Sequence, residues 1–195
     1  MIGKLVLDEH YRDLEKRTLA VADVLADQVS GIDAAVLQID EPNLPWTPDD
    51  GPLAAAAMNR ILSKAGSKEK AVHLCFGNYG GQTIQAGDYR KLIDFLNALD
   101  CDHLVLETTR RPREELEALR EIRPEIRLGI GVIDVKDLQV ESPEVVARRI
   151  EAIASIVGEE RLAYVHPDCG LQNLPRAAAD GNLRALVAGR DLFAG

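Results

Sequence analysis

Five short apolar runs, rich in β-branched residues, recur along the chain: 35–39 (AVLQI), 71–76 (AVHLCF), 103–106 (HLVL), 127–133 (RLGIGVI) and 162–165 (LAYV). They are nearly continuous in apolar character rather than alternating, the pattern of strands buried on both faces. Between them the period turns helical over 89–99, 112–122 and 143–157, the last entered through Ser142 as N-cap with Pro143 in the first turn. Ahead of the first strand, Leu7, Tyr11, Leu14, Val21, Val24, Leu25 and Val29 lie at helical spacing and Gly31 follows as a terminator, which predicts an opening helix over 7–29.

Strand and helix therefore alternate, with successive strands starting roughly 24 to 36 residues apart, the length of a βαβ unit. The pattern predicts one α/β domain over residues 1–195 with a parallel sheet covered by helices. The Pro-rich stretch 41–52 (EPNLPWTPDDGP) reads as a loop following the first strand. Polar residues gather where the strands end: Asp40 and Glu41, His73 and Cys75, Glu107 with Thr108 and Thr109, Asp134 and Lys136, Asp168 and Cys169. In parallel α/β architectures the loops beyond the carboxyl ends of the strands converge, so these groups are expected to line one pocket.

Composition narrows what that pocket does. With 46% hydrophobic and 28% charged residues, the chain is that of a folded, water-soluble protein. No run nears the roughly 18 apolar residues of a membrane span, and the opening turns charged before a secretory segment forms, so a cytoplasmic address is expected. A net charge of −9, without a basic patch, argues against nucleic acid as a partner. Three cysteines, an odd number, read as thiols or metal ligands rather than as a disulfide framework.

His73 and Cys75 are two apart on a strand and so point to one face, their Cα atoms about 6.5 Å apart. Cys169 follows the fifth strand in a rigid VHPDCG turn, and Glu107 ends the third with a free carboxylate. Two thiolates, an imidazole and a carboxylate make a borderline-soft set suited to Zn2+ rather than Mg2+, and the carboxylate is the ligand a substrate thiol displaces most easily. Cys101 precedes the third strand, at the opposite end of the sheet, and reads as structural.

The ordered segments VLQIDEPNL (36–44), HLCFGN (73–78), LVLETTR (104–110), LGIGVIDVK (128–136) and HPDCGL (166–171) resemble the carboxy-terminal catalytic barrel of the cobalamin-independent methionine synthase family. The resemblance implies a (β/α)8 TIM-barrel type of fold, of which this chain carries about five of the eight βα units. It implies zinc held by His73, Cys75, Glu107 and Cys169, and a contact from Asp40, with Glu41 beside it, to the amino group of homocysteine. The family's proton donor falls at Lys136, where a lysine replaces the family's histidine. The implied reaction is methyl transfer from a folate-type donor, 5-methyltetrahydropteroylglutamate, to the thiol of homocysteine, giving methionine. The zinc lowers the thiol pKa.

Two other functions share these residues. Relatives of the barrel alkylate the thiol of coenzyme M with an epoxide, and a five-unit chain is also consistent with a non-enzymatic zinc-binding fragment. An open five-stranded sheet keeps two unpaired edges, which predicts a homo-oligomer or a partner chain that completes the barrel. The Gly-rich FGNYGG (76–81) lacks the spacing of a phosphate loop and reads as a flexible connection. Gly129 and Gly131 are expected to permit close backbone approach, and His103 and His166 to be structural. Trp46 either walls a pocket near the site or caps the core.

Overall fold

The computed structural model describes residues 7–78 and 87–195. The chain runs α1 (Leu14–Ser30), β1 (Val36–Glu41), α2 (Gly51–Leu62), β2 (Glu69–Leu74), α3 (Ile93–Ala98), β3 (His103–Leu106), α4 (Arg113–Glu117), β4 (Arg127–Ile133), α5 (Pro143–Val157), β5 (Leu162–Pro167) and α6 (Arg176–Ala194). All four strand pairings are parallel and the order in the sheet is β1-β2-β3-β4-β5. Among the described residues no helix is long and apolar enough to cross a membrane.

The expected strands all form, with shifted ends. β1 extends through Asp40 and Glu41, and β2 covers Glu69–Leu74 rather than 71–76, leaving Cys75 one residue past its end. The opening helix starts at Leu14, not Leu7. Asp8 instead accepts the backbone N–H groups of His10, Tyr11 and Asp13 in a turn, and Asp13 caps the helix through Lys16 N at 3.1 Å. The helices expected over 89–99 and 112–122 each divide into a 3-10 turn and a short α-helix. The 41–52 stretch holds two 3-10 turns, Leu44–Trp46 and Pro48–Asp50, and its last two residues already belong to α2. The loop expected over 76–81 lies in part outside the described residues.

Helices α2 and α6 were not anticipated from the periodicity. An alanine run and a proline in the first turn disguise α2. In α6, glycines interrupt the apolar stripe, but they serve packing: a Cβ at Gly189 would sit 2.5 Å from Val146 Cβ, so glycine lets α6 close on α5.

Strand alternation gives the sheet two different faces. Val72, Leu74, Leu104, Leu106, Leu128, Ile130 and Val132 are fully buried and form the main core with Leu62, Leu96, Leu99, Leu119 and Ile150 of the covering segments. The opposite face carries Gln38, Asp40, Glu69, His73, His103, Glu107, Tyr164 and His166 and is curled inward. Tyr164 Oη of β5 donates to Glu69 Oε2 of β2 at 2.9 Å, across two intervening strands. That concave polar face positions the site.

Candidate metal site

The carboxyl ends of β2 and β5 bring three of the expected ligands together. One ligand atom each from His73, Cys75 and Cys169 lies within 4.8 Å of the other two. His73 is in β2, opposite Asp40 on one side and Val105 on the other, and Cys75 follows the strand. Both are buried, while Cys169 is half-buried in the turn after β5. Two asparagines tie these loops to one another: Asn78 Nδ2 donates to Gly170 O at 3.1 Å, and Asn173 Nδ2 donates to Asn78 O at 2.9 Å.

Below Cys169, Asp168 is fully buried and works as a clamp. Its carboxylate accepts Thr108 N at 2.9 Å, Thr109 N at 3.2 Å and the Thr109 hydroxyl, while its own N–H donates to Ile133 O at 3.0 Å. The ends of β3, β4 and β5 are thus locked in one arrangement. Burial pushes the Asp168 carboxyl up to about 6, against the pull of these hydrogen bonds. The clamp needs Gly131, because a Cβ there would run into Asp168 Oδ1 and lie 2.8 Å from its Cα. Gly129 likewise leaves room for Leu104 O, 2.9 Å from where its Cβ would be, as expected of both glycines.

The donor set fits a zinc ion. His73 Nδ1–H donates to Val105 O at 2.9 Å, which fixes the tautomer and leaves Nε2 with its lone pair for the metal. Cys169 is lowered to about 4 by its contact with the Cys75 thiol and then with His73, so it is a thiolate at neutral pH. The Cys75 thiol is pushed up by the Cys169 sulfur and by burial; burial pulls His73 down most strongly of any single cause, but the Cys169 sulfur, Asp40 and the Val105 carbonyl together raise it. A thiolate, a thiol and an imidazole crowded together form a proton-sharing cluster that a divalent cation would replace. A tetrahedral zinc separates its ligand atoms by roughly 3.5–3.8 Å, so the observed spread requires a contraction of about 1 Å at most.

The other expected residues stand around this cluster. Glu107, fully buried, is outside the three-donor group; its Oε2 accepts Phe76 N at 3.3 Å and lies 3.0 Å from Lys136 Nζ. Tyr89, also fully buried, donates from its hydroxyl to Glu107 O at 2.9 Å. Asp40 is exposed at the end of β1, where Gln38 Nε2 donates to it at 2.8 Å. Glu41 Oε1 accepts Asn43 N and Leu44 N, so this carboxylate shapes its own turn. Trp46 is half-exposed and walls a cavity of about 400 Å³ between β1, α1 and α2, bordered by Asp40 and Glu41. Cys101 is buried at the far end of the sheet, its thiol pushed up by burial to about 12. His103 packs on Tyr164 and lies 3.0 Å from Glu69, and His166 Nδ1 is 2.6 Å from Pro167 O. Asn173 and Tyr89 carry no motif; Asn78 closes the HLCFGN segment and Asp168 and Thr109 lie at strand ends, which marked that region in advance without giving these residues a role.

A family model described as "Cobalamin-independent synthase, Catalytic domain" matches residues 8–190. The methionine synthase of Thermococcus kodakarensis is 31% identical over 195 residues, covering 98% of this chain and 54% of the relative. That of Methanothermobacter thermautotrophicus is 36% identical over 186 residues, covering 92% and 56%. A solved structure of a B12-independent methionine synthase from Shewanella sp. W3-18-1, in complex with selenomethionine, superposes with a TM-score of 0.80 at 25% identity, covering 96% of this chain and 57% of that one. The chain thus spans about half the length of the curated relatives it matches.

Proposed function

The chain belongs to the cobalamin-independent synthase catalytic-domain family, and from that premise we propose that it is a zinc-dependent methyltransferase module of methionine formation. It would pass a methyl group from a folate-type donor to the thiol of homocysteine. The observation that carries this reading is the convergence of His73, Cys75 and Cys169 within 4.8 Å at the carboxyl ends of two strands. Zinc bound there supplies a Lewis acid that makes a substrate thiol a thiolate at neutral pH.

In this reading His73 Nε2 and the Cys75 and Cys169 sulfurs hold the metal, with Glu107 as the exchangeable fourth ligand. Asp40, exposed and opposite His73 in the β1–β2 register, supplies a carboxylate for the substrate ammonium, with Glu41 fixing the turn next to it. Lys136 is the site's own ammonium, at the position of the family's proton donor. The three free cysteines suit a reducing compartment, which supports a cytoplasmic address. Half the length of its relatives, and the outer edges of β1 and β5 that no strand pairs among the described residues, support a second copy or a separate chain as the partner that completes the barrel.

The purified protein is expected to hold about one zinc per chain, lost on chelation and abolished by Cys75→Ser with Cys169→Ser. Adding homocysteine should bring one further sulfur to the metal at about 2.3 Å in X-ray absorption. Full zinc retention in the double variant, or an unchanged coordination sphere at saturating homocysteine, overturns the reading.

A further inference from the structure

Lys136 and Glu107 form an ion pair at 3.0 Å in which neither side chain reaches solvent. The pair abuts the metal cluster, since the same Glu107 Oε2 accepts the N–H of Phe76, the residue after Cys75. The second carboxylate oxygen, Oε1, is buried with no hydrogen-bond partner. Lys136 is held in its place by a chain of contacts. Its N–H donates to Asp134 Oδ1 at 2.9 Å, Asp134 N donates to Glu141 Oε1 at 2.9 Å, and Glu141 in turn is fixed by Asn182 of α6 and Arg149 of α5. With its main chain so held and its side chain fully enclosed, Lys136 keeps its ammonium away from solvent, and a buried charge that loses its counter-ion is strongly disfavoured.

With a metal bound at the cluster, Glu107 would stand between two cations, the metal and Lys136. Resting on the zinc reading above, we infer that Lys136 is a positioning residue that competes with the metal for Glu107. It draws the carboxylate off the metal and leaves the fourth position to the substrate thiol. The unpartnered Oε1 is the atom Glu107 would offer a metal, and the hold of the ammonium on Oε2 keeps that offer weak. Lys136 thereby acts on the ligand set rather than on the departing methyl donor, a role that follows from its burial against Glu107.

The test measures zinc affinity against a chromophoric chelator, and homocysteine uptake by X-ray absorption on the zinc-loaded protein. Lys136→Met keeps the side-chain stem and removes the competitor. Zinc should bind about 10-fold more tightly, and about 10-fold more homocysteine should be needed to bring its sulfur to the metal. Zinc affinity equal to or weaker than wild type in Lys136→Met overturns the inference. Should that variant fail to fold, the charge-free pair Glu107→Gln with Lys136→Met carries the test alone, because it removes both members of the buried pair. A zinc affinity within about 3-fold of wild type supports the inference, and a larger loss means that Glu107 ligates despite Lys136 and overturns it. If instead wild type takes up no zinc, or Cys75→Ser with Cys169→Ser keeps it, the metal reading itself fails, a result distinct from either of these.

Discussion

Adding one methyl group at Gly131 should loosen the fold and the metal site together. In Gly131→Ala the new Cβ would lie 2.8 Å from Asp168 Cα and collide with Oδ1, where unstrained carbon contacts need about 3.5–4.0 Å. Both atoms belong to strands or strand ends bonded to one another, so the end of β5 has to recede by about 1 Å. Thr108 N at 2.9 Å and Thr109 N at 3.2 Å then fall outside hydrogen-bonding distance of the Asp168 carboxylate. Two bonds to a charged acceptor, at about 1.5–3 kcal/mol each, put the loss at roughly 3–6 kcal/mol, a large part of the total stability of an ordinary domain. Because Cys169 is the next residue, zinc affinity should fall by at least about 10-fold. Urea unfolding and chelator competition read the two effects. Gly66→Ala is the control: its Cβ would meet nothing within 4 Å, so only the positive φ of 65° is strained, and a cost of about 1–2 kcal/mol with unchanged zinc affinity is expected. A Gly131→Ala protein within about 1 kcal/mol of wild type, with zinc affinity within about 3-fold, would show that Asp168 does not clamp these strand ends.

Tyr89→Phe removes the donor to the Glu107 carbonyl and should cost about 1–3 kcal/mol, seen as a fall of a few degrees in Tm; a loss under about 0.5 kcal/mol refutes that bond. Burial lowers the pKa of His166, so its neutral form is favoured on folding. Its contribution to stability is whole above the unfolded pKa of about 6.5 and is lost as pH falls toward the folded value. Wild type should accordingly lose more stability than His166→Gln between pH 7.5 and 5 in urea unfolding, and parallel profiles would count against it. With the outer edges of β1 and β5 unpaired among the described residues, the chain is expected to sediment at micromolar concentration as a dimer or larger; a protease-resistant 21.3 kDa monomer refutes the proposed completion by a partner.

The strands were legible as short runs of apolar, β-branched residues, although only one face of the sheet is the apolar core: β1 and β5 are partly exposed on the other, which the near-continuous apolar pattern did not foretell. The family was legible from segments that lie at the carboxyl ends of the strands, where ligands cluster. The solved relative and the family match bear out that recognition and the α/β barrel-type fold. Helices α2 and α6 were hidden because their alanines and glycines serve close packing and blur the apolar stripe. The division of 89–99 and 112–122 into 3-10 and α segments is a local change of turn that the apolar period does not distinguish. His73, Cys75 and Cys169 follow from type and spacing. The pairing of Glu107 with Lys136, and the Asn78–Gly170 tie between residues 92 apart, depend on distances that no local pattern encodes.

The serial strand order carries a kinetic consequence. Each ladder joins a strand to its chain neighbour, so every pairing closes a loop of one βα unit, and the cost of loop closure is met in small equal steps. The contacts that curl the sheet, Tyr164 to Glu69 and Asn78 to Gly170, span 95 and 92 residues and can form only after the ladders between them. The cluster of His73, Cys75 and Cys169 spans the same distance and is completed in that late step. A cation bound there would therefore slow unfolding without quickening refolding, and stripping it should steepen the decay of the native state while leaving the refolding rate as it was.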